Sequence, residues 1–129
     1  NFGDGTITVL RNNGSGNFGI TSNHIAGAQP QGICVGDFNA DGWLDIASAN
    51  AFAGSVSVLL NNGVGGFPVA AVSITGFGSI HGIDAADADN DGDIDIVVTG
   101  PSAFTRVLRN NGLGGFPTIT TLNLSTTPR

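Results

Sequence analysis

Arg11-Asn-Asn-Gly-Ser-Gly-Asn-Phe18 returns as Leu60-Asn-Asn-Gly-Val-Gly-Gly-Phe67 and again as Arg109-Asn-Asn-Gly-Leu-Gly-Gly-Phe116, at a spacing of 49 residues both times. A fixed period of this length signals stacked supersecondary units, none of which buries its apolar face alone. A second pair of stretches follows nearly the same period. Asp37-Phe-Asn39-Ala-Asp41-Gly42-Trp43-Leu-Asp45 and Asp87-Ala-Asp89-Asn-Asp91-Gly92-Asp93-Ile-Asp95 lie 50 residues apart. Two different motifs on one period fix the size of the unit.

Within a unit the local signals are those of strands. Residues 32–36 and 82–86 are short runs of small and apolar residues that enter the acidic stretch. Leu44–Ser48 and Ile94–Thr99 leave it with apolar, partly β-branched character. Thr6–Leu10 and Ser55–Leu59 alternate polar with apolar, the period of a half-buried strand. Asn-Asn-Gly then supplies a pair of residues tolerant of positive φ and hence a hairpin turn. A fourth strand follows near 69–74 and 118–124. No segment has sustained helical periodicity. Glycine, 21 of 129 residues, is about twice its ordinary ~7%, as many short strands with tight turns require. Four antiparallel strands per unit make one blade of a β-propeller.

The sequence resembles the FG-GAP or VCBS repeat family, the integrin-α-like β-propellers. Gly36-Asp37-Phe38-Asn39-Ala40-Asp41-Gly42, the following Asp45 and the Asn-Asn-Gly-x-Gly-x-Phe turn carry the resemblance. It implies an all-β fold in which a cation loop joins the first and second strands of each blade. Counting strands gives about two and a half blades: a half blade over 1–28 and blades over 29–77 and 78–126. Closed propellers have roughly 4–8 blades, so the expectation is a segment of a larger propeller, with the remaining blades of a longer chain as partners.

The acidic stretches suit a hard cation. Oxygen-bearing side chains at positions 1, 3, 5 and 9 around a glycine match Ca²⁺, which takes about 6–8 oxygen ligands. The expected ligands of the first loop are Asp37, Asn39, Asp41 and Asp45 with the carbonyl of Trp43. Those of the second are Asp87, Asp89, Asp91 and Asp95 with the carbonyl of Asp93. Gly42 and Gly92 permit the sharp turn. An EF-hand would need a bidentate Glu at position 12, where Ser48 and Val98 stand, and the chain has no glutamate. Charge alone ranks the second loop as the tighter of two Ca²⁺ sites, with four ligand carboxylates plus Asp93 against three.

Charge also narrows the partners. The formal net charge is −6, and eight of ten aspartates lie inside the two loops. Four arginines without lysine form no basic stripe, which argues against nucleic acid. No run of some 18 apolar residues is present for membrane insertion by a helix. Cys34, the lone cysteine, reads as a small buried hydrophobe. Phe18, Phe67 and Phe116 are equivalent and expected in the core. Trp43 either stacks outward on a sugar or packs between blades. His24 and His81 occupy no equivalent positions, and no nucleophile elbow or H-E-x-x-H occurs.

The expected function is therefore non-catalytic: a calcium-binding propeller segment for binding or adhesion outside the cell or on its surface, with a protein or glycan ligand. Adhesion and location follow from the resemblance. The alternatives are a glycan-binding lectin propeller and an accessory propeller of a larger secreted carbohydrate-active enzyme.

Overall fold

In a computed structural model, which describes residues 1–68, 72–101 and 104–123, the elements among the described residues are ten β-strands. The order is β1 (Thr6–Asn12), β2 (Phe18–Ile25), β3 (Pro30–Gly36), β4 (Asp45–Asn50), β5 (Ser55–Leu59), β6 (Val72–Thr75), β7 (Gly82–Ala86), β8 (Asp95–Thr99), β9 (Phe104–Arg109) and β10 (Thr118–Asn123). They form three antiparallel sheets: β1-β2, β3-β4-β5-β6 and β7-β8-β9-β10. Each strand pairs with its chain neighbour, the meander of a propeller blade. The expected fourth strands are present as β6 and β10; positions 69–71 and 124 lie outside the described residues.

The middle blade is sandwiched, and its burial shows it. Every residue of β4 and β5 is buried. On one face Ala47, Ala49, Val56 and Val58 pack with Phe38, Ile80, Ile96, Val98 and Leu108 against the third sheet. On the other, Ile46 and Leu59 pack with Ile7, Ala26 and Phe67 against the first. Ser55 and Ser57 are thus buried, although their alternation with valine predicts a solvent face. Asn50 satisfies them: its Nδ2 donates to Ser55 Oγ (3.1 Å), Ser57 Oγ (2.8 Å) and Ala26 O (3.2 Å). A buried hydroxyl is tolerated only when so bonded.

Two further expectations are corrected. Phe18 is 63% exposed, whereas Phe67 is buried and Phe116 half-buried. Phe67 meets His24 edge-on at 5.2 Å, and Phe116 meets Phe38 at 5.9 Å, so each packs on the preceding sheet. No preceding sheet stands beside Phe18 among the described residues. In the Asn-Asn-Gly turns the positive φ belongs to the glycines (Gly63 at 78°, Gly65 at 79°), and no asparagine there adopts it. The asparagines cap instead: Asn62 Oδ1 accepts from Val64 N and Gly66 N. Asn62 N–H closes the turn on Gly66 O at 2.9 Å.

Candidate metal centre

Both acidic loops connect the first two strands of a four-stranded sheet, β3 to β4 and β7 to β8. Their backbones match. Position 4 is left-handed in each (Ala40 φ 55°, Asn90 φ 62°), and so is the glycine at position 6 (Gly42 87°, Gly92 96°). The first aspartate folds the loop over itself. Asp37 accepts from Asp41 N (3.1 Å) and Gly42 N (2.8 Å), and Asp87 from Asp91 N (3.2 Å) and Gly92 N (3.0 Å). Asp41 and Asp91 then cap the N–H of Trp43 and Asp93.

Asp45 and Asp95 differ from the rest because both are fully buried. Asp45 Oδ2 accepts from Phe38 N (2.9 Å), while its Oδ1 accepts from Asn61 N (2.8 Å). Asp95 repeats this with Ala88 N (3.1 Å) and Asn110 N (2.8 Å). Position 9 therefore ties the acidic loop to the Asn-Asn-Gly turn of its own blade. Desolvation raises the Asp45 carboxyl above its ordinary range, with Asp41 and Asp37 adding to the rise; the N–H donors oppose it. Asp93 is raised as well, by desolvation and then by Asp91, Asp87, Asp95 and Asp89.

The two loops are not equally converged. In the second, carboxylate oxygens of Asp87, Asp89 and Asp95 all lie within 4.8 Å of one another. That spacing fits inside the roughly 5 Å span across a Ca²⁺ shell with ligands at about 2.3–2.6 Å. Asp91 and Asp93 stand outside this group. In the first loop Asp37, Asp41 and Asp45 form no such group among the described residues. Asn39 Nδ2 instead donates to Asp41 Oδ2 at 2.9 Å.

The side chain at position 7 packs on the turn of its own blade. Trp43, 52% exposed, lays its indole over Gly63 of its own blade's turn, and Asp93 lies likewise over Gly112. A Cβ at Gly63 would stand 2.7 Å from the indole Nε1, so the turn glycine and the loop residue are matched. Trp43 thus packs within its blade rather than between blades. Sequence reasoning missed Arg109, at the end of β9, which is ion-paired to Asp89 and has Nη1 4.0 Å from Asp95 Oδ2. The signal was available: its repeat equivalents are Leu60 and Arg11, and only Arg109 follows a five-aspartate loop.

Sheets of chain-neighbour strands, stacked and carrying one loop type at one position, define a propeller-type repeat protein. The FG-GAP-like repeat profile matches residues 2–48 and 37–98. The chain belongs to that family. Comparison with curated proteins and with solved structures finds no match.

Proposed function

We propose that the chain is a non-catalytic, Ca²⁺-stabilised propeller segment that serves binding or adhesion outside the cell. The convergence of Asp87, Asp89 and Asp95 carries the metal part. A donor set of carboxylates alone fits a hard divalent cation. Asp37, Asn39, Asp41 and Asp45 with the Trp43 carbonyl would hold the first ion, and Asp87, Asp89, Asp91 and Asp95 with the Asp93 carbonyl the second. The ion supplies charge neutralisation: several carboxylates within a few ångströms repel by roughly several kcal/mol even at an effective dielectric of 20. Extracellular calcium, at millimolar levels, suits loops of this exposure. Binding and adhesion rest on the family, since the fold does not fix a ligand.

A thermal melt in millimolar Ca²⁺, in Mg²⁺ and in chelator tests the metal part. The expected result is a Ca²⁺-specific rise in Tm, abolished by Asp41→Ala combined with Asp91→Ala. An unchanged Tm with every cation would return the aspartates to the role of turn residues.

A lectin is the second reading, favoured by the half-exposed Trp43 at the rim of the first loop. Sugar retention on a glycan array, lost in Trp43→Ala, supports it; no retention on any sugar removes it.

A further inference from the structure

We propose that Arg109 is a tethered counter-cation of the second loop, which stabilises that loop without metal and must be displaced from Asp89 when Ca²⁺ binds. The inference rests on the calcium reading above and concerns one residue that this reading does not use.

The geometry places the guanidinium on the oxygens a metal would need. Asp89 and Asp95 are two of the three converging carboxylates, and both are neighbours of Arg109 Nη1. The Arg109 and Asp89 side chains are each 31% exposed and Asp95 is 1% exposed, so the pair spans the mouth and floor of the loop. Nη1 is itself buried and makes no aligned hydrogen bond. Its hold on the loop is charge on charge, without the bidentate fork that makes arginine–carboxylate pairs strong. A divalent ion drawn to the same oxygens brings twice the charge and repels the guanidinium. Arginine and metal therefore compete for Asp89.

The internal repeat supplies the control. Leu60 occupies the equivalent place in the middle blade and packs against the core beside a loop with three aspartates. Arg11, the third equivalent, donates to Val64 O at 2.7 Å. Of the two blades whose acidic loops are present, the one with five aspartates carries arginine at this place and the one with three carries leucine. Ranking the loops by aspartate count omits this cation.

Calorimetric Ca²⁺ titration of the full chain in an Asp37→Ala, Asp41→Ala background, which removes two of the first loop's three carboxylates, reads the second loop. Arg109→Leu, the residue the middle blade uses, is expected to tighten Kd roughly five- to tenfold, the equivalent of about 1 kcal/mol for a partly exposed ion pair. It should lower Tm in chelator and leave Tm in saturating Ca²⁺ nearly unchanged. An unchanged or weakened affinity, or an equal Tm loss with and without Ca²⁺, would show a merely structural ion pair and overturn the proposal. Leu60→Arg on the native background is the reciprocal test if Arg109→Leu does not fold. Trp43, the sole tryptophan, reports the first loop by fluorescence, and Ca²⁺ should bind there several-fold more weakly; undiminished affinity would overturn the proposal. The absence of any Ca²⁺ response in native and variant chains would sink the calcium reading and this inference with it. Native binding with no effect of either substitution sinks the inference alone.

Discussion

Asp45 and Asp95 are the residues on which loop, turn and blade meet. Each buried carboxylate satisfies two backbone N–H groups from separate segments. Charge-assisted bonds of this kind are worth about 1.5–3 kcal/mol each, and their loss strands the donors. Asp45→Ala should therefore cost roughly 3 kcal/mol or more in urea unfolding with chelator present. Asp41→Asn, whose backbone bond survives, should cost far less under the same conditions. Nothing in the sequence separates position 9 from position 1; only the donors around each do so. Ala40 was equally illegible, being a left-handed alanine where the second loop has Asn90. Ala40→Asn relieves a conformation that costs an L-residue about 1–2 kcal/mol, and should raise stability by roughly half to one. Cys34 is half-buried against the core, less enclosed than its apolar flanks suggest. Burial, then Asp84, pushes its thiol up to about 12 from an ordinary 9.0. Its contribution to stability is complete below pH 9.0, where both states hold the proton. It falls as pH rises toward 12, because only the unfolded chain deprotonates over that interval. Iodoacetamide at pH 9 should accordingly label denatured protein fast and native protein slowly.

At the scale of elements, the repeated turn works between blades as well as within them. Asn110 Nδ2 donates to Ile94 O (2.9 Å) in the acidic loop of its own blade and to Phe38 O (2.8 Å) in the preceding blade's loop. The Nδ2 of Asn61, its equivalent, donates among the described residues only to Leu44 O (3.0 Å). Asn110→Ala should destabilise more than Asn61→Ala by about 1 kcal/mol, the net worth of one further hydrogen bond. Equal losses in parallel denaturation curves would mean that the contact across blades contributes nothing. The turn's position and its role as a connector were legible because the repeat and the alternation of flanking residues declare them. Its internal geometry was not. Asn-Gly favours positive φ at both residues in a two-residue hairpin, but here a longer turn closes from Asn62 to Gly66 and gives the left-handed places to Gly63 and Gly65. Burial of β5 was hidden for a similar reason. Alternation reports one wet face only when no second sheet covers it, and the β1-β2 sheet covers Ser55 and Ser57.

For the whole molecule, stacking decides which apolar residues are satisfied. Ile83 and Ala85 of β7 are half-buried against the core shared with β3. Their equivalents, Ile33 and Val35, are 58% and 53% exposed, because among the described residues the β1-β2 sheet has no strand at the level of β3. The blade count read from the sequence predicts this mismatch, since a half blade lacks its two inner strands. What the sequence leaves hidden is which face bears the consequence, and the pairing Ile33↔Ser48 and Val35↔Ile46 puts it on the side of the first sheet. Two neighbouring aliphatic side chains beside an unpaired strand edge invite association. We propose that the inner strands of a further blade cover this surface. Without one, the chain should self-associate in sedimentation velocity as concentration rises. Ile33→Ser combined with Val35→Thr should shift it toward monomer while leaving the Ca²⁺-dependent rise in Tm in place, because both substitutions face away from the core shared with β7. A chain that sediments as a monomer at every concentration would show that the face needs no cover, and the arrangement of three sheets would then be a complete solution to its own packing.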